Sequence, residues 1–192
     1  MSSLSNKPNA REAIVDCASK LFFTQGYHAT GLNQIIKESE SPKGSLYYYF
    51  PHGKEELALT CIHRTSDIVT EKLKDLADTS PGIGEAMREF LLGMAEEAVS
   101  SSYERVVPFS FWLAVETSCV SEELRQACQT VFSDWQEVVK QHLMEEGVGE
   151  TEAADKASVA VSLFEGALLQ TLTFRDEQPL LAAAKLIPAL LS

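Results

Sequence analysis

The chain of 192 residues carries 16 Lys and Arg against 28 Asp and Glu, a formal net charge of -12. That length allows one or two small domains with a sizeable core. With 45% apolar and 23% charged residues and few Gly and Pro, a disordered, collagen-like or coiled-coil chain is excluded, and an ordinary globular protein is expected.

The acid is unevenly placed. Residues 1–74 hold nine basic and eight acidic side chains, residues 75–192 seven and twenty. A phosphate-rich partner, bound largely through Lys and Arg and the counterions they release, would be accepted by the first part and repelled by the second. Cys17, Cys61, Cys119 and Cys128 share no CxxC or CxxxC spacing, so they read as small buried hydrophobes in a reducing compartment rather than a metal or redox site. The first twenty residues show no secretory signal, and no run approaches the roughly 20 apolar residues of a membrane span. A cytoplasmic chain with no membrane partner is expected.

In chain order, a first helix starts at Asn9, which with Glu12 is placed like an N-cap and its N3 acid, and Gly26 stops it. Thr30 is expected to cap a second helix through Leu32, Ile35 and Ile36; Ser41 is expected to cap a third, with Pro42 at its first position. Beyond Pro51-His52-Gly53 a long apolar pattern runs through Leu57, Ile62, Val69, Leu73 and Leu76 to Ser80-Pro81-Gly82. Another follows through Phe90, Leu91 and Met94, then an apolar segment, Phe109 to Val115, behind Pro108. After Ser121, a cap, the stripe Leu124, Cys128, Val131, Trp135, Val138, His142, Leu143 ends at Gly147. Two last segments span Thr151 to Phe174 and Leu180 to Leu191. No alternating strand pattern appears, so an all-α fold of about nine helices is expected.

The informative stretch is Gly26-Tyr27-His28-Ala29-Thr30, then Ser41-Pro42-Lys43-Gly44-Ser45-Leu46-Tyr47-Tyr48-Tyr49-Phe50, then Lys54-Glu55-Glu56-Leu57. Two short helices joined by a tight turn form a helix-turn-helix, whose second helix enters the DNA major groove. Leu46, Tyr49 and Phe50 stand at i, i+3 and i+4 and can face the core together, which turns Lys43, Gly44, Tyr47 and Tyr48 outward. Lys43 supplies a cation for a phosphate or a guanine edge. Gly44 lets the helix backbone approach closely, and the hydroxyls of Tyr47, Tyr48, Tyr49 and Ser45 offer donors to phosphate. Thr30 and Lys54 stand at helix starts, where free amides also hold phosphate. Taken alone, a Tyr-Tyr-Tyr-Phe run suits a core; core packing does not account for the Pro-Lys-Gly start before it.

These residues resemble the DNA-binding domain of TetR-family transcriptional regulators, with its Gly-Tyr/Phe-x-x-Thr, Ser-x-Gly-x-Leu-Tyr-x-x-Phe and Lys-Glu-x-Leu signatures. Phe50-Pro51-His52-Gly53-Lys54 is one residue longer than the family's usual Phe-x-x-Lys, and is similar to the Phe-Pro-Gly-Gly-Lys-Glu-Glu-Leu of the LmrA/YxaF-like branch. The resemblance implies a helix-turn-helix domain over residues 1–54, an effector-binding and dimerisation domain over 55–192, and a helix from about 54 to 77 linking them. It also implies a homodimer that binds a double-stranded DNA operator of pseudo-palindromic sequence, mostly as a repressor, and is released by a small organic effector of aromatic, flavonoid-like or drug-like kind. An activator of the same fold, and a helical small-molecule-binding protein or enzyme without DNA binding, are the alternatives.

The acidic two-thirds holds enough aromatic side chains to line a site between helices. Phe111, Trp112 and Trp135 are the aromatic effector candidates, because Pro108 can open space nearby; Glu116, His142 and Gln170 are the polar ones. Val159, Ser162, Leu163, Gly166 and Ala167, with Leu181, Ala184 and Ile187, form apolar and small-residue stripes, which the resemblance assigns to a four-helix dimer interface. His142 with Glu145 and Glu146 reads as a solvated helix end rather than a metal corner. No nucleophile elbow, phosphate loop or His-Glu metal motif is present, so neither enzyme activity nor a cofactor is expected.

Overall fold

The computed structural model describes residues 9–104, 116 and 121–192. Among them the chain forms eight helices and no strand: α1 Ala10–Gln25, α2 Leu32–Glu38, α3 Lys43–Tyr49, α4 Lys54–Thr79, α5 Ile83–Ser100, α6 Glu122–Glu145, α7 Glu150–Phe174 and α8 Gln178–Leu191. The expected segment Phe109 to Val115 lies outside the described residues, as does Cys119. The chain divides into two compact units, Met1–Arg64 with Trp112–Cys128, and Thr65–Phe111 with Gln129–Ser192.

In the first unit the local signals behave largely as read. Asn9 Oδ1 accepts from the Arg11 N–H at 3.3 Å and caps α1. Gly26, at φ 87°, ends it by donating its N–H to Phe22 O at 3.0 Å; that left-handed backbone is one that side chains with a Cβ avoid. Two caps differ from expectation. The α2 N-cap is Gly31, with no side-chain bond, because the Thr30 hydroxyl turns back to donate to Gly26 O at 2.7 Å. The α3 N-cap is Pro42 rather than Ser41, whose hydroxyl donates instead to Ser39 O at 3.3 Å. The Glu56 carboxylate reaches back to the His52 N–H at 2.9 Å and steadies the start of α4. Ile14, Ala18, Leu21 and Phe22 of α1, Ile35 of α2, Leu46 of α3, then Phe50, Leu57 and Ile62 are buried together in one small core. Truncating one of these large side chains, such as Leu46→Ala, costs on the order of 2–5 kcal/mol.

In the second unit, α5, α7 and α8 pack on one another. Alanines at 153, 157, 160 and 167 of α7 and at 183 and 184 of α8 are buried and let these helices approach closely. Gly84 of α5 does the same for α8: a Cβ there would stand 3.1 Å from Pro188 Cα. α6 buries Val131, Trp135, Val138 and Leu143 and closes at Gly147, whose φ is 95°. By length and composition α7 is long and apolar enough to cross a membrane, a feature the run-length reading passed over. Its Ala160, Phe164, Ala167 and Leu168 are nevertheless buried in this unit's core.

Candidate nucleic-acid interface and effector region

α3 presents two faces. Leu46 is fully buried and Phe50 nearly so, as their i, i+4 spacing requires. Tyr47 is 46% and Tyr48 79% exposed, and Lys43 and Gly44 are exposed beside them. A Cβ on Gly44 would meet nothing within 4 Å, so this chain's own packing does not demand a glycine there. Ser45 and Tyr49 are half-buried; the Tyr49 hydroxyl reaches Asn9 Oδ1 at 3.5 Å, and its ring stands edge-on to Tyr48 with centroids 5.0 Å apart. The outward face thus offers one cation, two phenol hydroxyls and a bare stretch of helix backbone.

Thr30 is 1% exposed. Its hydroxyl donates to Gly26 O and accepts from Gln25 Nε2 at 3.3 Å, so its side chain holds the turn rather than standing free at a helix start. Lys54 is drawn inward: its Nζ lies 4.4 Å from the centroid of the Tyr27 ring and 3.5 Å from His28 O. Burial lowers the Lys54 pKa, and the nearby Glu116 carboxylate opposes the shift. Burial raises the Tyr27 pKa, with Glu55 adding to it.

Glu116 corrects a sequence expectation. Read as an effector contact, it lies instead against the turn between α1 and α2, where its carboxylate accepts the Tyr27 N–H at 2.8 Å and the His28 N–H at 3.2 Å. The physical reason is that the turn leaves these two amides without carbonyl partners, and a carboxylate serves both.

In the second unit Trp135 lies against Phe164, with ring centroids 6.2 Å apart, and Phe164 against Phe90 at 5.1 Å. With Val69, Leu73, Met87, Val139 and Val161 these rings enclose a small apolar cavity of about 10 Å³. The Trp135 indole N–H and the Thr171 hydroxyl are buried with no hydrogen-bond partner among the described residues. A wider groove of about 380 Å³ runs between α4 and α6, lined among others by Ser66, Thr70, Lys74, Asp134, Glu137 and His142. Of the effector candidates, then, Trp135 lines the cavity and His142 the groove, with His142 Nδ1 at 2.8 Å from Val138 O. Gln170 is exposed on α7, and Phe111 and Trp112 lie outside the described residues. The Glu146 carboxylate accepts the Ile83 N–H at 2.6 Å at the start of α5, a role with no local sequence signal.

The expected dimer residues fall into two groups. Val159, Ser162, Leu163, Gly166 and Leu181 are exposed or half-buried, whereas Ala167, Ala184 and Ile187 are buried in this chain's own core and out of a partner's reach. Phe174 and Leu186, 64% and 63% exposed, are large apolar side chains on the same two helices that the stripe reading did not include.

Two family models match this architecture: residues 14–61 match bacterial regulatory proteins of the tetR family, and residues 84–186 match the C-terminal domain of LmrA/YxaF-like transcriptional regulators. The chain belongs to the TetR family of transcriptional regulators. This regulator is 42% identical to the uncharacterized HTH-type transcriptional regulator YxaF of Bacillus subtilis, over 97% of each chain. It is 38% identical to the HTH-type transcriptional regulator LmrA of the same organism, over 95% of this chain and 97% of that one. Its fold matches a TetR transcriptional regulator from Legionella pneumophila with a TM-score of 0.82, at 22% identity over 95% of this chain and 97% of the other.

Proposed function

We propose that this regulator is a cytoplasmic homodimeric repressor that binds a pseudo-palindromic DNA operator through α3 and is released by a small, aromatic organic effector. The observation that carries the DNA reading is the outward face of α3, where exposed Tyr47 and Tyr48 flank Lys43 and Gly44 over a buried Leu46. Such a face suits major-groove insertion, with tyrosine hydroxyls and Lys43 on phosphates or base edges and Gly44 admitting the duplex. Ser45 and Tyr49, half-buried, would contribute at the margin, Lys54 by reaching past the Tyr27 ring, and Thr30 by fixing the turn ahead of α2. Val159, Ser162, Leu163, Gly166 and Leu181, with exposed Phe174 and Leu186, supply a face of apolar and small side chains on α7 and α8 for an isologous four-helix interface. A twofold dimer would set its two heads about 34 to 36 Å apart, or a larger whole-turn spacing.

For the effector, the cavity at Trp135, about 10 Å³, has room for no more than about one water, so a flat apolar ligand would have to part the Trp135, Phe164 and Phe90 rings. The indole N–H, without a partner among the described residues, would then receive one acceptor of that ligand. The effector releases DNA only through a differential affinity of about 1–3 kcal/mol for the conformation that does not fit the operator. A mobility-shift assay with duplex DNA from around the regulator's own gene tests the proposal. A specific shift that Lys43→Ala with Tyr47→Ala abolishes without unfolding supports it; no specific shift with that DNA or with duplexes recovered by selection from a random pool refutes it in favour of a helical small-molecule-binding protein.

A further inference from the structure

Glu116 stands 89 residues beyond Tyr27 and within the span 84–186 that matches the C-terminal domain, yet it packs in the same compact unit as α1, α2 and α3. Both its carboxylate oxygens are engaged, one by the Tyr27 N–H at 2.8 Å and the other by the His28 N–H at 3.2 Å. The turn they grip is fixed from three further sides. Gly26 turns through φ 87°, and a Cβ on it would lie 2.8 Å from Glu116 Oε2. The Lys54 ammonium sits over the Tyr27 ring and reaches His28 O. Thr30 closes back on Gly26 O, two residues ahead of the start of α2. A second tie follows five residues later, where the Ser121 hydroxyl bonds the Glu55 carboxylate and also accepts the Leu124 N–H at 3.2 Å at the start of α6.

We infer that Glu116 is a positioning residue for DNA binding: through the Tyr27 and His28 amides it fixes the turn that sets α2, and so makes the reading head's geometry depend on the segment that leads into α6. The inference rests on the DNA-binding reading above. Two charge-assisted bonds hold the turn; removing the carboxylate leaves two backbone donors to find water and returns the turn to an ensemble that must be reordered on DNA. Electrostatics alone predicts the opposite outcome, since deleting an acidic side chain from a phosphate-binding unit should tighten binding. The sign of the effect therefore separates positioning from charge.

The test compares the full-length protein with Glu116→Ala, Glu116→Gln and Ser121→Ala. Amide hydrogen exchange is followed by NMR at Tyr27 and His28, with exchange at Ile14 and Leu46 as the control for folding. Operator affinity is measured on duplex DNA from around the regulator's own gene or, if that is not bound, on duplexes recovered by selection from a random pool. Glu116→Ala should speed exchange at Tyr27 and His28 by about tenfold or more, with Ile14 and Leu46 unchanged. It should weaken DNA binding by about tenfold with the same salt slope, because Glu116 touches no phosphate. Glu116→Gln, with one acceptor oxygen, should protect one of the two amides and recover part of the affinity, and Ser121→Ala should leave both amides protected. Unchanged exchange at Tyr27 and His28, or DNA binding that is equal or tighter in Glu116→Ala, overturns the inference. If no duplex is bound even by the unaltered protein, the DNA-binding reading fails, while faster exchange still establishes the grip of Glu116 on the turn.

Discussion

Lys43 offers a quantitative test of how this regulator holds DNA. Residues 1–54 carry only six basic side chains. Arg11 lies over the Phe50 ring and Lys54 over the Tyr27 ring, which leaves Lys43 as the basic residue of α3 and exposed on its outward face. If each subunit of a dimer places one Lys43 on a phosphate, Lys43→Ala removes two phosphate contacts. The slope of log affinity against log salt should then become shallower by about 1.8, at about 0.9 per phosphate. Raising salt fourfold, from roughly 50 to 200 mM, would cost the unaltered protein about 12 times more affinity than it costs the variant. With Lys37, Lys43 and Lys54 all engaged in both heads, the slope of the unaltered protein should be no steeper than about -5. Fluorescence anisotropy of a labelled operator duplex across that salt range measures both slopes. A slope near -10 in the unaltered protein would refute the reasoning. So would a Lys43→Ala variant that binds more weakly with no change of slope, since Lys43 would then act on a base edge or on the fold.

Three further outcomes follow from buried and paired groups. Thr171 is fully buried and its hydroxyl has no partner among the described residues, so Thr171→Val, which replaces that hydroxyl by a methyl, should stabilise the protein by about 1–2 kcal/mol, read as a higher midpoint in chemical denaturation; destabilisation would show that the hydroxyl has a partner. Burial raises the Cys61 thiol pKa to about 11, so at pH 8 an alkylating reagent should label Cys61 only after denaturant unfolds the chain, as followed by peptide mass spectrometry. Hydrogen bonds from Arg125 and then Gln126 lower the Glu122 pKa from 4.5 to about 2. A lowered carboxylate pKa stabilises the fold above pH 4.5 and loses that contribution as pH falls toward 2; a carbon-13 titration of the Glu122 carboxyl with its midpoint near 4.5 would contradict it.

What could be read from the sequence is what neighbouring residues decide. Asn9, Gly26, Ser121 and Gly147 act within a few residues of themselves and bound their helices as read. The two caps that shifted, Thr30 to Gly31 and Ser41 to Pro42, did so because each hydroxyl found a carbonyl behind it, a competition between equivalent local bonds that residue type does not settle. The outward face of α3 was legible because three spacings, at Leu46, Tyr49 and Phe50, point the same way. Glu116 and Glu146 were not legible: each binds backbone amides, across 89 and 63 residues, and an amide leaves no mark on the sequence. Ala167, Ala184 and Ile187 carried the right periodicity for an interface, but α7 and α8 are apolar on more than one face, and spacing does not say which face the chain itself consumes.

Gly84 has a consequence for the opposite side of its unit. Within a helix a glycine gives up about 1 kcal/mol of stability relative to alanine, and here that loss accompanies a close backbone approach: a Cβ would stand 3.1 Å from Pro188 Cα, tight enough that α8 would have to shift slightly. Beside the buried Leu180, Ile187 and Leu191, the seat of α8 is therefore set in part by a missing side chain. Enlarging position 84 would lift α8 and displace Leu186, which α8 carries on its exposed side, so the height of the proposed dimer face above the core is set from behind by one absent methyl group. Pairing through that proposed face would thus respond to a change at position 84, on a different helix from the face itself.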